Sequence, residues 1–357
     1  LIYSGDDYAE EVKKQNRKCT DHDHSGIIKN EKRGVRMKKN ISLLIALFMM
    51  VALIATGCGS TQTQTQKAPE KMKVGVVVKA LNSDYWKIVE SGAKAAGEKY
   101  GVEVKVLGPN TETDVTGQIS LIEDQVTRKV NALVVAPSQA ASAIPVFNRA
   151  KEAKIPVILA DTDAAWDGKA SFVGTGNFNG GKLAGEYFGK KLPKGSKIVI
   201  LRGALGDPTH DERANGCIEG LKAAGLEVAV TQPANSERSM AVTVIENILQ
   251  SKQEFAAVFA TNDEMALGAA KALEDAGKKM IVVGFDGSPD ALASISDGKL
   301  DASVAQSPYN IGFKSVEAAV KIAKGEAIEK RIDTGTEIVN AENVKQKSDD
   351  LKKILGK

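Results

Sequence analysis

Short apolar runs that end in polar residues, each followed at once by a helical pattern, are the feature that most restricts how this chain can fold. Residues 256–260 (Ala-Ala-Val-Phe-Ala) lead into Thr261-Asn262-Asp263, and a helix rich in small residues starts there and runs to about residue 273. A continuous apolar run of this length suits a strand buried on both faces. Asn262 and Asp263 then fall at the carboxyl end of that strand, where open α/β sheets bind ligands. Either residue could instead merely cap the helix. The same pattern recurs along the chain. Strands are expected over 74–78, 102–107, 132–136, 156–160, 172–174, 197–201, 228–231, 280–285 and 302–306, with a last short one within 330–338. Helices are expected over 85–100, 115–128, 140–153, 211–224, 239–251, 289–296 and 311–324, and Asn177-Phe178-Asn179-Gly180-Gly181 reads as a turn. The alternation gives βαβ units and parallel sheets, and the two similar series suggest two lobes around a cleft.

The front of the chain differs. The formal charge is +3, and residues 1–39, with ten Lys/Arg and seven Asp/Glu, account for all of it. The remainder is neutral overall, so no global basic field draws in nucleic acid. Residues 1–36 show no hydrophobic period and contain no Met; they are expected to be an upstream extension that is not translated. Met37-Lys38-Lys39 then begins a signal segment over 37–57, whose hydrophobic run at 41–55 is short for a spanning helix. It ends in Ala55-Thr56-Gly57-Cys58, which resembles a bacterial lipoprotein cleavage motif. That resemblance implies lipidation of Cys58 and a protein anchored outside the cytoplasm. Residues 58–71, rich in Thr and Gln, read as a flexible tether.

The rest of the inventory argues against several function classes. Behind Cys58 the chain holds one further cysteine, Cys217, and one histidine, His210. Neither a disulfide framework nor a Cys/His metal cluster follows, and no Gly-rich phosphate loop precedes a helix. Cys217 lies within a helical stretch and is expected to be a core thiol. Neither cofactor nor catalytic constellation is expected. A sugar-responsive DNA-binding repressor needs a helix-turn-helix ahead of the first strand, where this chain has a signal segment and a tether.

Several segments together resemble the ribose-type periplasmic binding-protein family. They are Val76-Val77-Val78-Lys79-Ala80-Leu81-Asn82, Ala136-Pro137, Ile155-Pro156-Val157-Ile158, Thr261-Asn262-Asp263-Glu264-Met265-Ala266-Leu267-Gly268, Val282-Val283-Gly284-Phe285-Asp286-Gly287 and Val304-Ala305-Gln306. Lys79 with Tyr85-Trp86 is closer to the allose-binding branch than to the ribose-binding one. The resemblance implies two Rossmann-like α/β lobes joined by a three-segment hinge: 72–175 with 307–336, and 176–306 with 337–357. It also implies a monomeric carrier of a sugar or polyol that docks on the membrane subunits of an ABC permease. A receptor-coupled sensor, or a carrier of a non-sugar solute, would share these features. The ligand contacts carried over are Lys79, Ser83, Tyr85, Trp86, Asp161, Arg213, Asn262, Asp286 and Gln306. Carboxylates and amides can bridge sugar hydroxyls, Lys and Arg can donate to them, and aromatic rings can cover C–H faces. Two departures stand out. Thr162 follows Asp161 where ribose-binding members carry Arg, and Ser236 stands where an aromatic is common. His210 and Trp166 are the candidates to replace that aromatic.

Overall fold

The computed structural model describes residues 71–355. The upstream extension, the signal segment, Cys58 and nearly all of the tether lie outside those residues. Strands and helices alternate almost throughout. The first series is β1 (Lys73–Val77), α1 (Asp84–Tyr100), β2 (Glu103–Leu107), α2 (Val115–Thr127), β3 (Ala132–Val135), α3 (Ala140–Glu152), β4 (Val157–Ala160) and β5 (Ser171–Gly174). The second is α4 (Asn177–Lys191), β6 (Lys197–Arg202), α5 (Pro208–Ala223), β7 (Glu227–Pro233), α6 (Arg238–Gln250), β8 (Ala257–Ala260), α7 (Asp263–Asp275), β9 (Ile281–Asp286), α8 (Pro289–Ser296) and β10 (Ala302–Ala305). The chain closes with α9 (Pro308–Ala323), β11 (Arg331–Asp333), β12 (Glu337–Asn340) and α10 (Val344–Ile354).

These strands build two six-stranded sheets, in the orders β11-β5-β4-β3-β1-β2 and β12-β10-β9-β8-β6-β7. Every pairing is parallel except that of β12 with β10. The chain therefore passes between the two lobes three times, after β5, after β10 and between β11 and β12. The region expected to hold one final strand holds two, one on each sheet, because Gly335 (φ 75°) turns the chain between them. A closing helix, α10, was not expected: only Val344 of it is buried, so its sequence carries little apolar signal.

The apolar runs are split by the period of two that a strand imposes. In β3, Ala132 and Val134 join the core under α1 and α9, while Leu133 and Val135 join the one under α2 and α3. In β6, Val199 and Leu201 face one core, Ile198 and Ile200 the other. Each fully buried Val, Ile or Leu of this kind stabilises the fold by about 1.5–3 kcal/mol. Parallel strands all point one way, so the polar residues that end them gather along one edge of each sheet.

Residues 177–181 do not form the expected turn; they open α4. Their glycines serve close helix packing instead. A Cβ on Gly181 would collide with the backbone carbonyl of Arg213, and one on Gly216 with that of Phe178, so α4 and α5 touch backbone to backbone. That contact sets the position of Arg213. Cys217 is buried at the same contact, as its helical setting suggested.

Gly181→Ala is expected to destabilise the protein by about 1–3 kcal/mol through overpacking. Lys190→Ala on the exposed side of the same helix should stay within about 0.5 kcal/mol of wild type. Urea unfolding of the two variants checks this.

Candidate functional site

The strand ends converge on a cleft between the lobes. From the first lobe come Lys79 after β1, Tyr85 and Trp86 on the first turn of α1, Glu112 after β2, and Asp161-Thr162 after β4. From the second come Asp207, Thr209, His210 and Arg213 at the start of α5, Ser236 after β7, Asn262 after β8 and Asp286 at the end of β9. The outer part of the cleft is a cavity of 570 Å³ that Ser83 also lines. At its inner end only about 20 Å³ is left between tightly packed polar side chains.

Lys79 ties this inner end together. Its side chain is 2 % exposed, and its ammonium pairs with Asp207 of the opposite lobe and lies 3.4 Å from Asp161 Oδ2. Burial disfavours the charged ammonium, but Asp207 and Asp161 outweigh it and hold the Lys79 pKa above its ordinary value. Both oxygens of Asp161 are engaged: Tyr85 donates its hydroxyl to Oδ1 at 2.5 Å and Thr162 donates to Oδ2 at 2.9 Å. The Thr162 hydroxyl also meets that of Thr209 at 2.7 Å, a second link between the lobes. Asp207 caps α5, accepting from the Thr209 N–H at 2.9 Å.

Arg213 is fixed on four sides. It donates to Asn177 Oδ1 and to the Thr261 carbonyl, each at 2.9 Å, and to Asp286 Oδ1 at 3.3 Å, and its guanidinium lies over the Phe285 ring. Gln306 donates to the same Asp286 oxygen at 2.7 Å and accepts from Thr175 at 2.7 Å, which joins two of the inter-lobe crossings. Burial raises the Asp286 pKa well above its ordinary value, against the opposing effect of Arg213. Asn262 is a cap and a cleft residue at once. Its Oδ1 accepts from the Met265 N–H at 2.9 Å while its side chain lines the cavity.

The two candidates for the missing aromatic separate. His210 lies at the site, with Nδ1 2.8 Å from Thr261 Oγ1 and Nε2 3.0 Å from Ser236 Oγ, so imidazole and hydroxyl together fill that wall. Trp166 does not reach the cleft. It is buried against Phe147 on the far side of the first sheet and donates to Asn148 Oδ1 at 2.8 Å. The loop after β4 folds back over α3, an apolar surface that takes up the indole. Glu112 and Asp207 escaped the sequence reading. Asp207-Pro208 is a helix-start signature, and α5 begins at Pro208, three residues ahead of the expected start at 211. Glu112 lies in a polar loop with no pattern to single it out. Trp86 donates its indole N–H to Glu112 Oε1 at 2.7 Å. Burial alone would raise the Glu112 pKa, but His210, Lys79 and Trp86 prevail and lower it to about 2. Glu112, Asp207 and His210 offer potential metal ligands within 4.8 Å of one another, yet the Lys79 ammonium already sits on Asp207 and supplies positive charge there.

Residues 74–327 match the periplasmic binding protein domain. The chain belongs to that family. It is 34% identical over 301 residues to the ribose import binding protein of Escherichia coli, covering 84% of this chain and 99% of that protein. It is 30% identical over 260 residues to the D-allose-binding periplasmic protein of the same species, covering 70% and 84%. Among solved structures, a solute-binding protein from Bacillus halodurans with bound myo-inositol is 32% identical, with a TM-score of 0.73 over 78% of this chain and 98% of that one. One from Actinobacillus succinogenes with bound D-allose is 28% identical, with a TM-score of 0.72 over 77% and 100%.

Lys79→Met leaves two buried carboxylates without their cation and is expected to cost about 3–5 kcal/mol of stability, measured by urea unfolding. Glu112 has a lower pKa in the folded protein than its ordinary 4.5, so it contributes stability above pH 4.5 that is lost as pH falls towards 2. The stability gap between wild type and Glu112→Gln should therefore narrow over that range.

Proposed function

We propose that this protein is an extracytoplasmic solute-binding protein that captures a monosaccharide or polyol between its lobes and delivers it to an ABC permease. The observation that carries the reading is the convergence of polar strand-end residues from both sheets on one cleft beside two aromatic rings. Tyr85 and Trp86 meet edge to face, 4.9 Å between centroids. Together they offer an apolar surface next to donors and acceptors already held in place, which is what a ring bearing hydroxyls requires. The contacts would be Lys79, Ser83, Tyr85, Trp86, Asp161, Arg213, Asn262, Asp286 and Gln306, with His210 in place of an aromatic wall.

Binding and lobe closure would be linked. A ligand that touches both lobes only when they are together shifts the equilibrium towards the closed form, by no more than its differential affinity for that form. The family names of the relatives support a sugar, and the presence of Lys79 with Tyr85-Trp86 supports an allose-like hexose. The Gly57-Cys58 motif behind a short hydrophobic run supports a lipid anchor at Cys58, so a Cys58→Ala variant should be released from the membrane fraction of a producing cell.

A thermal-shift screen against sugars and polyols tests the reading. A ligand at about 100 times its Kd adds about 2.7 kcal/mol to the folded state. D-allose, D-ribose or myo-inositol should raise the melting temperature, and Asp286→Ala or Asn262→Ala should remove the rise. No shift from any sugar or polyol would refute the reading.

A further inference from the structure

Asp263 opens α7 beside the proposed contact Asn262, yet its carboxylate is neither the cap of the helix nor free for a ligand. The cap is Asn262, whose Oδ1 accepts from the Met265 N–H. An acidic residue in the first turn of a helix is favoured there by the helix dipole and ordinarily faces water. Asp263 is 1 % exposed, and its carboxylate reaches across to β9 and β10 instead. Oδ2 accepts from the Ser288 N–H at 2.7 Å and Oδ1 from the Ser303 hydroxyl, also at 2.7 Å. Ser303 Oγ in turn accepts from the Gly287 N–H at 3.1 Å. The carboxylate lies against β9 where only a glycine leaves it room: a Cβ on Gly284 would stand 2.3 Å from Asp263 Oδ1. Burial raises the Asp263 pKa above its ordinary value, while hydrogen bonds from Ser288, Ser303 and Gly287 oppose that rise.

These bonds act on one short segment. The chain leaves β9 through Asp286-Gly287-Ser288, with Asp286 at φ 125° and Gly287 at φ 72°. An aspartate stays in such a conformation only where its surroundings dictate it. Arg213 and the Gln306 side chain hold the Asp286 carboxylate, and the Gln306 N–H holds its carbonyl at 3.1 Å. The next two amides, those of Gly287 and Ser288, are held by Asp263, through Ser303 for the first and directly for the second. The backbone of Asp263 also begins α7 immediately after Asn262. One residue therefore ties the end of β8, where Asn262 stands, to the end of β9, where Asp286 stands.

We propose that Asp263 is a positioning residue: it touches no ligand itself and sets the place of Asp286 relative to Asn262 by holding the Gly287 and Ser288 amides. This rests on the reading of the cleft as a sugar or polyol site.

Hydrogen exchange of the ligand-free protein, resolved by NMR, and isothermal titration together test this. In Asp263→Ala the Gly287 and Ser288 amides should exchange at least tenfold faster than in wild type, with those of β6 unchanged. The Kd for whichever of D-allose, D-ribose and myo-inositol binds wild type should rise at least fivefold, and Asp263→Asn, which keeps one acceptor, should lose less. Ser303→Ala breaks the link to Gly287 alone, and it carries the test if Asp263→Ala does not fold. It should speed exchange at Gly287 at least tenfold and raise the Kd at least threefold. Smaller changes than these, or β6 amides that quicken as much as those of Gly287 and Ser288, would overturn the inference and leave the sugar site standing. If none of the three compounds binds wild type, the sugar site itself is refuted, and the inference with it.

Discussion

The ammonium of Lys79, buried between Asp161 of one lobe and Asp207 of the other, is the interaction on which the cleft depends. An isolated charge at that depth would be costly, and the attraction of two carboxylates only offsets the loss of water. Its consequence is therefore geometric more than energetic. Asp161 is held by Lys79, Tyr85 and Thr162, and Asp207 by Lys79 and by the first turn of α5. Once the lobes are together, the residues that would meet a ligand are fixed by one another, which lowers the ordering cost of binding to that form.

The backbone tells the same story. Asp161 (φ 61°), Asn235 (φ 53°), Ser236 (φ 64°) and Asp286 (φ 125°) all hold conformations that residues other than glycine rarely adopt. Such residues cost of order 1–3 kcal/mol each and persist only where their surroundings dictate them. All four lie along the cleft, at or just beyond strand ends. The apolar cores on both faces of each sheet hold the strands rigidly enough to sustain that strain.

Much of this was legible in the sequence because parallel strands buried on both faces leave unbroken apolar runs. The place where each run turns polar is also the place where the cleft forms, so Asp161, Asn262 and Asp286 stand out at strand ends, although it is the family resemblance that marks them as contacts rather than caps or turns. Residues 177–181 misled because glycines that bring α4 against α5 look, in one dimension, like glycines of a turn. Trp166 misled because nothing local distinguishes a core indole from a cleft indole; the return of its loop over α3 decides that. Glu112 and Asp207 matter only through partners far along the chain, Trp86 for the first and Lys79 for the second. Neither pairing leaves a spacing to read.

The most direct test of an interdigitated, ligand-linked cleft is small-angle X-ray scattering, with and without a saturating concentration of a sugar that shifts the melting temperature. The radius of gyration should fall on binding in the wild type, and in Lys79→Met the fall should be smaller or need far more sugar. An unchanged radius of gyration in wild type at saturation would contradict the link between the cleft's shared polar network and the approach of the two lobes.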